Sequence, residues 1–275
     1  MPSLNARISL GAGELGIDLA AAVDLAIPLD LHGPQPRHFG APPASAQPLE
    51  VAGFSGAVAR GASCNCEIVT FIPHCNGTHT ESAGHLTRER LDAFRVVPAG
   101  LIPAVLLSVT PEAAGGARED TDPPPQPQDL LLTRRALEQA WPGGGPFAAR
   151  ALVVRTLPNP VAKQHRDYSG QTAPYLSRPA AQLLVERGIE HLVIDLPSID
   201  REHDEGRLTA HRLFFGIPPG ATQLSRAARA QATVTELAYV PDFLRDGHYL
   251  LELQVPALSG DAVPSRPLLY ALQEP

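Results

Sequence analysis

The stretch Ser177–Leu196, SRPAAQLLVERGIEHLVIDL, decides the fold class. Ser177 can cap a helix by accepting from an N–H in its first turn, Pro179 is tolerated in that turn, and Gly188 suits the left-handed stop. HLVIDL (His191–Leu196) is then a run of branched apolar residues, which reads as a buried strand. A helix feeding a buried strand is half of an α/β unit. Working outward, further strands are predicted at CNCEIVTFI (Cys64–Ile72), ALVVRT (Ala151–Thr156), ATVTEL (Ala232–Leu237), YLLELQV (Tyr249–Val255) and PLLYAL (Pro267–Leu272), the later ones running on without helices between them. The pattern predicts a mixed α/β fold.

The chain has 275 residues, near the upper limit for one hydrophobic core, so a single domain over residues 1–275 is expected. The low-complexity stretch Thr110–Asp129, TPEAAGGAREDTDPPPQPQD, cannot supply a packed face and is expected to be an exposed, flexible loop. Hydrophobic residues make up 44% and charged ones 19%, and the net charge is −7. That balance gives no electrostatic reason to expect nucleic acid or an anionic membrane as partner, and a small molecule is the natural ligand. The apolar stretch LGIDLAAAVDLAIPL (Leu15–Leu29) is broken by Asp18 and Asp24, and no signal-peptide pattern opens the chain. A soluble, cytoplasmic protein is expected. The three cysteines, Cys64, Cys66 and Cys75, cannot build a disulfide framework, which fits a reducing compartment.

The chemistry concentrates in PHCNGTHTESAGH (Pro73–His85), with three histidines, a cysteine and a carboxylate in one short run. If the chain stays extended there, the period of two puts Cys75, Gly77, His79 and Glu81 on one side, so that His79 and Glu81 can grip one ion. Imidazole with carboxylate suits zinc, manganese or iron, and a site of this type with an open position serves catalysis more than structure. A serine hydrolase is set aside: GFSGA at Gly53 lacks the glycine spacing of a nucleophile elbow.

GTHTESAGH resembles the signature H-x-G-T-H-x-D-x-P-x-H of the cyclase family of metal-dependent hydrolases, which includes bacterial kynurenine formamidase and isatin hydrolase. IDLPSID (Ile194–Asp200), AHRLFFG, the strand with TEL and VPALSGDAVPSRPLLY follow in family-like order, so the likeness spans about Val23 to Leu272. The resemblance implies a mixed-sheet, swivelling β/β/α fold. It implies His79 and Glu81 as metal ligands, His211 and Glu236 as the distal ligands of a two-metal site, and His85 as the acid/base. It further implies one or two Zn2+ or Mn2+ ions per chain and a homodimer or larger assembly; no organic cofactor is expected.

Two departures stand out. The family's first histidine falls on Cys75, while His74 stands one residue earlier; a bulge at Asn76–Gly77 could bring His74 back to the ion, so His74 is favoured as ligand with Cys75 as the alternative. Glu81 replaces the family's Asp, and Ala83 its Pro. The expected reaction is hydrolysis of a C–N bond in a small formamide, lactam or cyclic amide, arylformamidase-like and of the kind used in tryptophan catabolism. A binding protein that keeps the fold without turnover, or a biosynthetic cyclase or dehydratase, are the alternatives. Cys64 and Cys66 are expected to face a core, His165, His191 and His203 to be surface or hydrogen-bonded histidines, and Asp195, Ser198 and Asp200 to shape the turn that presents His211.

Overall fold

A computed structural model describes residues 3–10 and 13–273. Eleven strands form its large sheet: β1 (Asn5–Leu10), β2 (Gly13–Asp18), β3 (Val23–Asp24), β4 (His79–Ser82), β5 (Ile102–Val109), β6 (Ala151–Thr156), β7 (His191–Ile194), β8 (Thr233–Glu236), β9 (Gly247–Gln254), β10 (Ala262–Pro264) and β11 (Arg266–Gln273). Their spatial order is β1-β2-β11-β9-β5-β6-β7-β8-β4-β10, with β3 beside β11. The central strands β5, β6, β7 and β8 are parallel. Antiparallel strands continue the sheet on both sides, β9 next to β5 and β4 next to β8. The fold is therefore mixed α/β, as the helix-then-strand reading required.

Alternation along the central strands divides two cores. On one face Val105, Leu107, Leu152, Val154, Leu192, Ile194 and Val234 pack under the helices; on the other Ala104, Leu106, Ala151, Val153 and Val193 pack with Leu25, Val240 and Leu251. A strand buried on both faces has no polar side to alternate, which is why HLVI and ALVV read as unbroken apolar runs. Beside the single helical turn Ala93–Val96, the helices are α1 (Arg134–Ala140), α2 (Arg178–Glu186) and α3 (Thr209–Phe215). Ser177 caps α2 by accepting from the Ala180 N–H at 3.0 Å, and Gly188 follows with φ +73°. Helix α3, between β7 and β8, shows that the later strands are not all joined without helices.

The sequence expectation fails at CNCEIVTFI. Only Glu67–Thr70 is a strand, paired with Ser45–Pro48 in a two-stranded ribbon outside the large sheet. Ile68 and Val69 are exposed on its opposite faces, and Cys64 and Cys66 are exposed too. The reason is that the ribbon satisfies its backbone with one partner strand while no third layer covers either face, so β propensity here does not mean burial. Thr110–Asp129 is tied along its length: Glu112–Ala113 pairs with Leu130–Leu131, Glu119 accepts from the N–H groups of Arg134 and Arg135, the Asp120 and Asp122 carbonyls accept from the Arg178 N–H and the Thr209 hydroxyl, and Asp129 accepts from the Tyr175 hydroxyl at 2.7 Å. Lys163, the chain's single lysine, is buried, with Nζ 2.7 Å from Asp195 Oδ2 and 2.6 Å from the Thr156 carbonyl. Among the described residues no helix is long and apolar enough to cross a membrane.

Candidate functional site

The chemistry-bearing motif lies inside the large sheet. His79 and Glu81 occupy alternate positions of β4, so both point to one face, and both are fully buried. Glu236 closes β8 directly opposite His79 in the antiparallel register, which makes the two side chains cross-strand neighbours. His79 Nε2 and Glu236 Oε2 are 3.4 Å apart. The site thus sits where the parallel strands β7 and β8 end, the usual position for sites in open α/β sheets.

His211 arrives from α3. The Asp200 carboxylate, on the loop after β7, accepts from the N–H groups of Ala210 and His211 at 2.7 and 3.0 Å and also faces His211 Nδ1 at 2.7 Å. One carboxylate therefore ends the loop, starts the helix and orients the ring. With Nδ1 held as donor, Nε2 turns toward Glu81 Oε1 at 2.8 Å and Glu236 Oε1 at 3.5 Å. The Gly77 carbonyl, 3.1 Å from His79 Nδ1, plays the same part for His79.

His74 is brought in by a turn where the sequence predicted a bulge. The N–H groups of Cys75 and Asn76 both donate to the Ile72 carbonyl, the Asn76 side chain accepts from the Ile72 N–H, and Gly77 has φ +77°, the left-handed region that its lack of a Cβ permits. Reversing the chain there puts His74 Nδ1 3.0 Å from Glu81 Oε2. Cys75 is half-buried and lines the same cleft; burial and the nearby Glu236 push its thiol pKa up. His85 stands in the short 3-10 turn Ala83–Leu86 after β4, its ring 4.2 Å from that of His74.

Asp261, which the sequence reading passed over, joins these two. Its Oδ2 lies 2.8 Å from His74 Nε2 and 3.5 Å from His85 Nδ1. Its signal in the sequence was a lone Asp before β10, and only the pairing of β10 with β4, Ala262 opposite Glu81, carries it to the site.

The electrostatics of the cluster favour a cation. Burial opposes charge on His211, but Glu81, Asp200 and Glu236 raise its pKa well above the usual value. Burial likewise opposes His74, and its contacts to Asp261 and Glu81 push it up to about 10. Glu236 is held down to about 2 against its burial by His211 and His79, and Glu81 is held well below the carboxylate range by His85 and His211. Carboxylates this buried demand positive charge beside them.

The residues also fit a metal ion by geometry. His79 Nε2, Glu81 Oε1 and His211 Nε2 are buried with no hydrogen-bond partner, although the last two approach to 2.8 Å. Lone pairs left facing one another cost free energy unless a cation lies between them. Ligand atoms of His79, Glu81 and Glu236 lie within 4.8 Å of one another, as do those of His74, Glu81 and His85, so Glu81 belongs to both groups. Nitrogen and carboxylate donors, with the outer imidazole nitrogens fixed by Asp200 and Gly77, suit a divalent metal ion. The cluster opens into a cleft of about 690 Å³ that His38, Phe39, Pro197, Leu208 and the loop from Arg201 to Gly206 complete.

A sequence model described as a putative cyclase matches residues 18–201, which ends before His211 and Glu236. No curated protein matches the chain. Among solved structures, isatin hydrolase A from Labrenzia aggregata bound to benzyl benzoate is similar at 18% identity over 93% of this chain and 96% of that one, with a TM-score of 0.57. A predicted metal-dependent hydrolase from Bacillus stearothermophilus is similar at 16% identity over 90% and 97%, with a TM-score of 0.56. An isatin hydrolase bound to the product analogue thioisatinate follows at 15% identity over 92% and 93%, with a TM-score of 0.54. At these identities the likeness is one of fold.

Proposed function

The chain belongs to the putative cyclase family, and we propose that it is a metal-dependent hydrolase of a C–N bond in a small formamide, lactam or cyclic amide, with arylformamidase-like activity. The single observation that carries this reading is the convergence of three orphaned buried atoms, on His79, Glu81 and His211, at the head of a cleft. That a fold neighbour is an isatin hydrolase supports a cyclic amide as one candidate substrate.

His79, Glu81, His211 and Glu236 would hold the ion, with His74 joining on the far side of Glu81. We favour His74 over Cys75 because its Nδ1 already faces Glu81 at 3.0 Å. A divalent zinc or manganese ion bound there supplies acidification of water and polarisation of the substrate carbonyl. The chain's own groups do the rest. Asp200 and the Gly77 carbonyl keep the histidine nitrogens aimed inward, and Pro197 and Leu208 add apolar surface to the cleft lining. His85 takes a proton from the attacking water and returns it to the leaving nitrogen, a role typically worth ~10²–10⁴-fold in rate. Asp261 faces His85 Nδ1, which leaves Nε2 as the exchanging nitrogen.

The test combines metal content with turnover. Protein purified without a histidine tag is expected to carry one or two zinc or manganese ions and to hydrolyse at least one of N-formylkynurenine, isatin, formanilide or a simple lactam. His85→Ala should lower kcat by about 10²–10⁴-fold with the ion retained; loss of the ion instead would make His85 a ligand. A folded, ion-free protein inert on all four compounds would sink the reading.

A further inference from the structure

A second cavity, of about 280 Å³, opens away from the metal-binding cluster. Thr110, Thr156 and Leu196 line it, so it lies against the carboxyl ends of the parallel strands β5, β6 and β7, where open α/β sheets bind their ligands. No residue lines both this cavity and the cleft. Leu130, Leu157 and Leu196, with Pro111, Pro158 and Pro160, give it apolar walls. The hydrolysis proposed for the cluster leaves it without a task.

Its polar groups differ in how far they are engaged. Lys163 is saturated: Nζ donates to Thr156, Asn159 and Asp195, and the Asp195 carboxylate offsets its charge. Arg166 and Tyr168 are not. The Arg166 guanidinium lies over the Tyr168 ring, 5.4 Å from its centroid, and no Asp or Glu lines the cavity to pair with it. Tyr168 is 3% exposed, yet its hydroxyl has no hydrogen-bond partner among the described residues. Burying a hydroxyl without a partner is costly, and such groups mark places where an absent acceptor belongs. Burial raises the Tyr168 pKa, with Arg166 opposing, so the hydroxyl keeps its proton and remains a donor. The pair is held in place from behind: the Arg37 N–H donates to the Arg166 carbonyl at 3.0 Å, and the Tyr168 N–H donates to the Arg37 carbonyl at 2.8 Å.

We propose that this cavity is a second binding site, for a small organic carboxylate: Arg166 and Tyr168 donate to the carboxylate, and the leucines and prolines cover its apolar body. A guanidinium without a carboxylate partner beside an unpartnered hydroxyl favours an acceptor-only anion, since both groups then find the partner they lack. The apolar walls disfavour a bare inorganic ion, which would lose its hydration against them with nothing in return. The volume limits the occupant to about the size of benzoate. Nothing in this site depends on the reaction proposed for the cluster, and neither Arg166 nor Tyr168 takes part in that reaction.

Calorimetry on the metal-loaded full chain tests the site, with benzoate as the probe and acetate as its comparison. Benzoate is expected to bind with a Kd of about 1 mM or tighter, as ligand efficiencies allow for a molecule of its size. Acetate, which buries no ring, should bind about 10-fold or more weakly. Tyr168→Phe and Arg166→Gln should each weaken benzoate about 10-fold, the loss of one hydrogen bond to a charged group, with metal content unchanged because neither residue lines the cleft. Without benzoate, Tyr168→Phe should melt no lower than wild type, since the hydroxyl it removes has no partner to lose; a lower melting temperature would reveal an internal partner and overturn the assignment. Should Arg166→Gln fail to fold, a wild-type crystal grown with 4-bromobenzoate still decides, through anomalous density beside Arg166 and Tyr168. Bromine density only at the metal cluster, benzoate affinity that survives Tyr168→Phe, or no benzoate binding at all overturns the proposal.

Discussion

At the scale of single residues, the site depends on groups that touch no substrate. Asp200 is the clearest, because it serves the helix start and the His211 ring together. Asp200→Asn keeps an acceptor for the backbone but weakens the hold on Nδ1, so zinc affinity should fall about 10- to 100-fold with little change in melting temperature, measured by competition with a chromogenic chelator. An unchanged affinity would show that the ring is fixed by packing alone. His79 and Glu81 were legible in the sequence because two residues apart in a strand means one face, and no tertiary fact is needed. Asp200 was legible as a turn-former, but its grip on His211 needed the loop after β7. Asp261 and His38 were not legible at all: each reaches the cleft through pairing with distant segments, and neither sits in a local pattern.

At the scale of elements, local rules and tertiary context part company in a consistent way. Helix α2 was readable to its ends because its cap and stop are residues with backbone-level reasons, and Ser177→Ala should destabilise the protein by about 1 kcal/mol or more in urea titration; Ser177→Thr, which keeps both the acceptor for Ala180 N–H and the hydroxyl that donates to Glu119, should restore most of it. The exposed ribbon at Glu67–Thr70 was misread because its residues have strand propensity and nothing in one sequence says whether a third layer covers them. The turn at Pro73–Cys75 was misread as a bulge for a related reason: both solve the same problem of returning His74 to the face of Glu81, and both use Asn76 and Gly77. Gly77→Ala tests the turn. The three atoms nearest its new Cβ all belong to Leu29, the first at 3.4 Å, so the cost is mainly the left-handed backbone itself, about 1–2 kcal/mol, and metal affinity should fall with it as His74 and His79 shift. Stability lost with affinity intact would mean the turn does not position these rings.

At the scale of the whole molecule, the two ends of the parallel strands carry opposite demands. The end with Glu236 and the loop to His211 gathers charge, while the other end, where β7 begins, buries His191 as a neutral ring with Nδ1 2.9 Å from Thr233 Oγ1. Burial, opposed by Glu190 and aided by Arg150 and Arg229, lowers the His191 pKa from 6.5 to about 4. Between those values the unfolded chain binds a proton that the folded chain does not, so stability rises with pH across the window and is lost as pH falls from about 6.5 toward 4. For one such group the loss is about 2 kcal/mol by pH 5. His191→Gln, which keeps a polar partner for Thr233 but cannot titrate, should therefore unfold at nearly the same urea concentration at pH 5 and pH 7.5 as far as this group is concerned, and the wild-type and variant stability curves should converge above pH 7. Because His191 lies at the strand end away from the cluster, metal content measured on folded protein at pH 7.5 should be the same in both. Parallel curves for wild type and variant would show that His191 is protonated in the folded state, and that the acid sensitivity arises elsewhere.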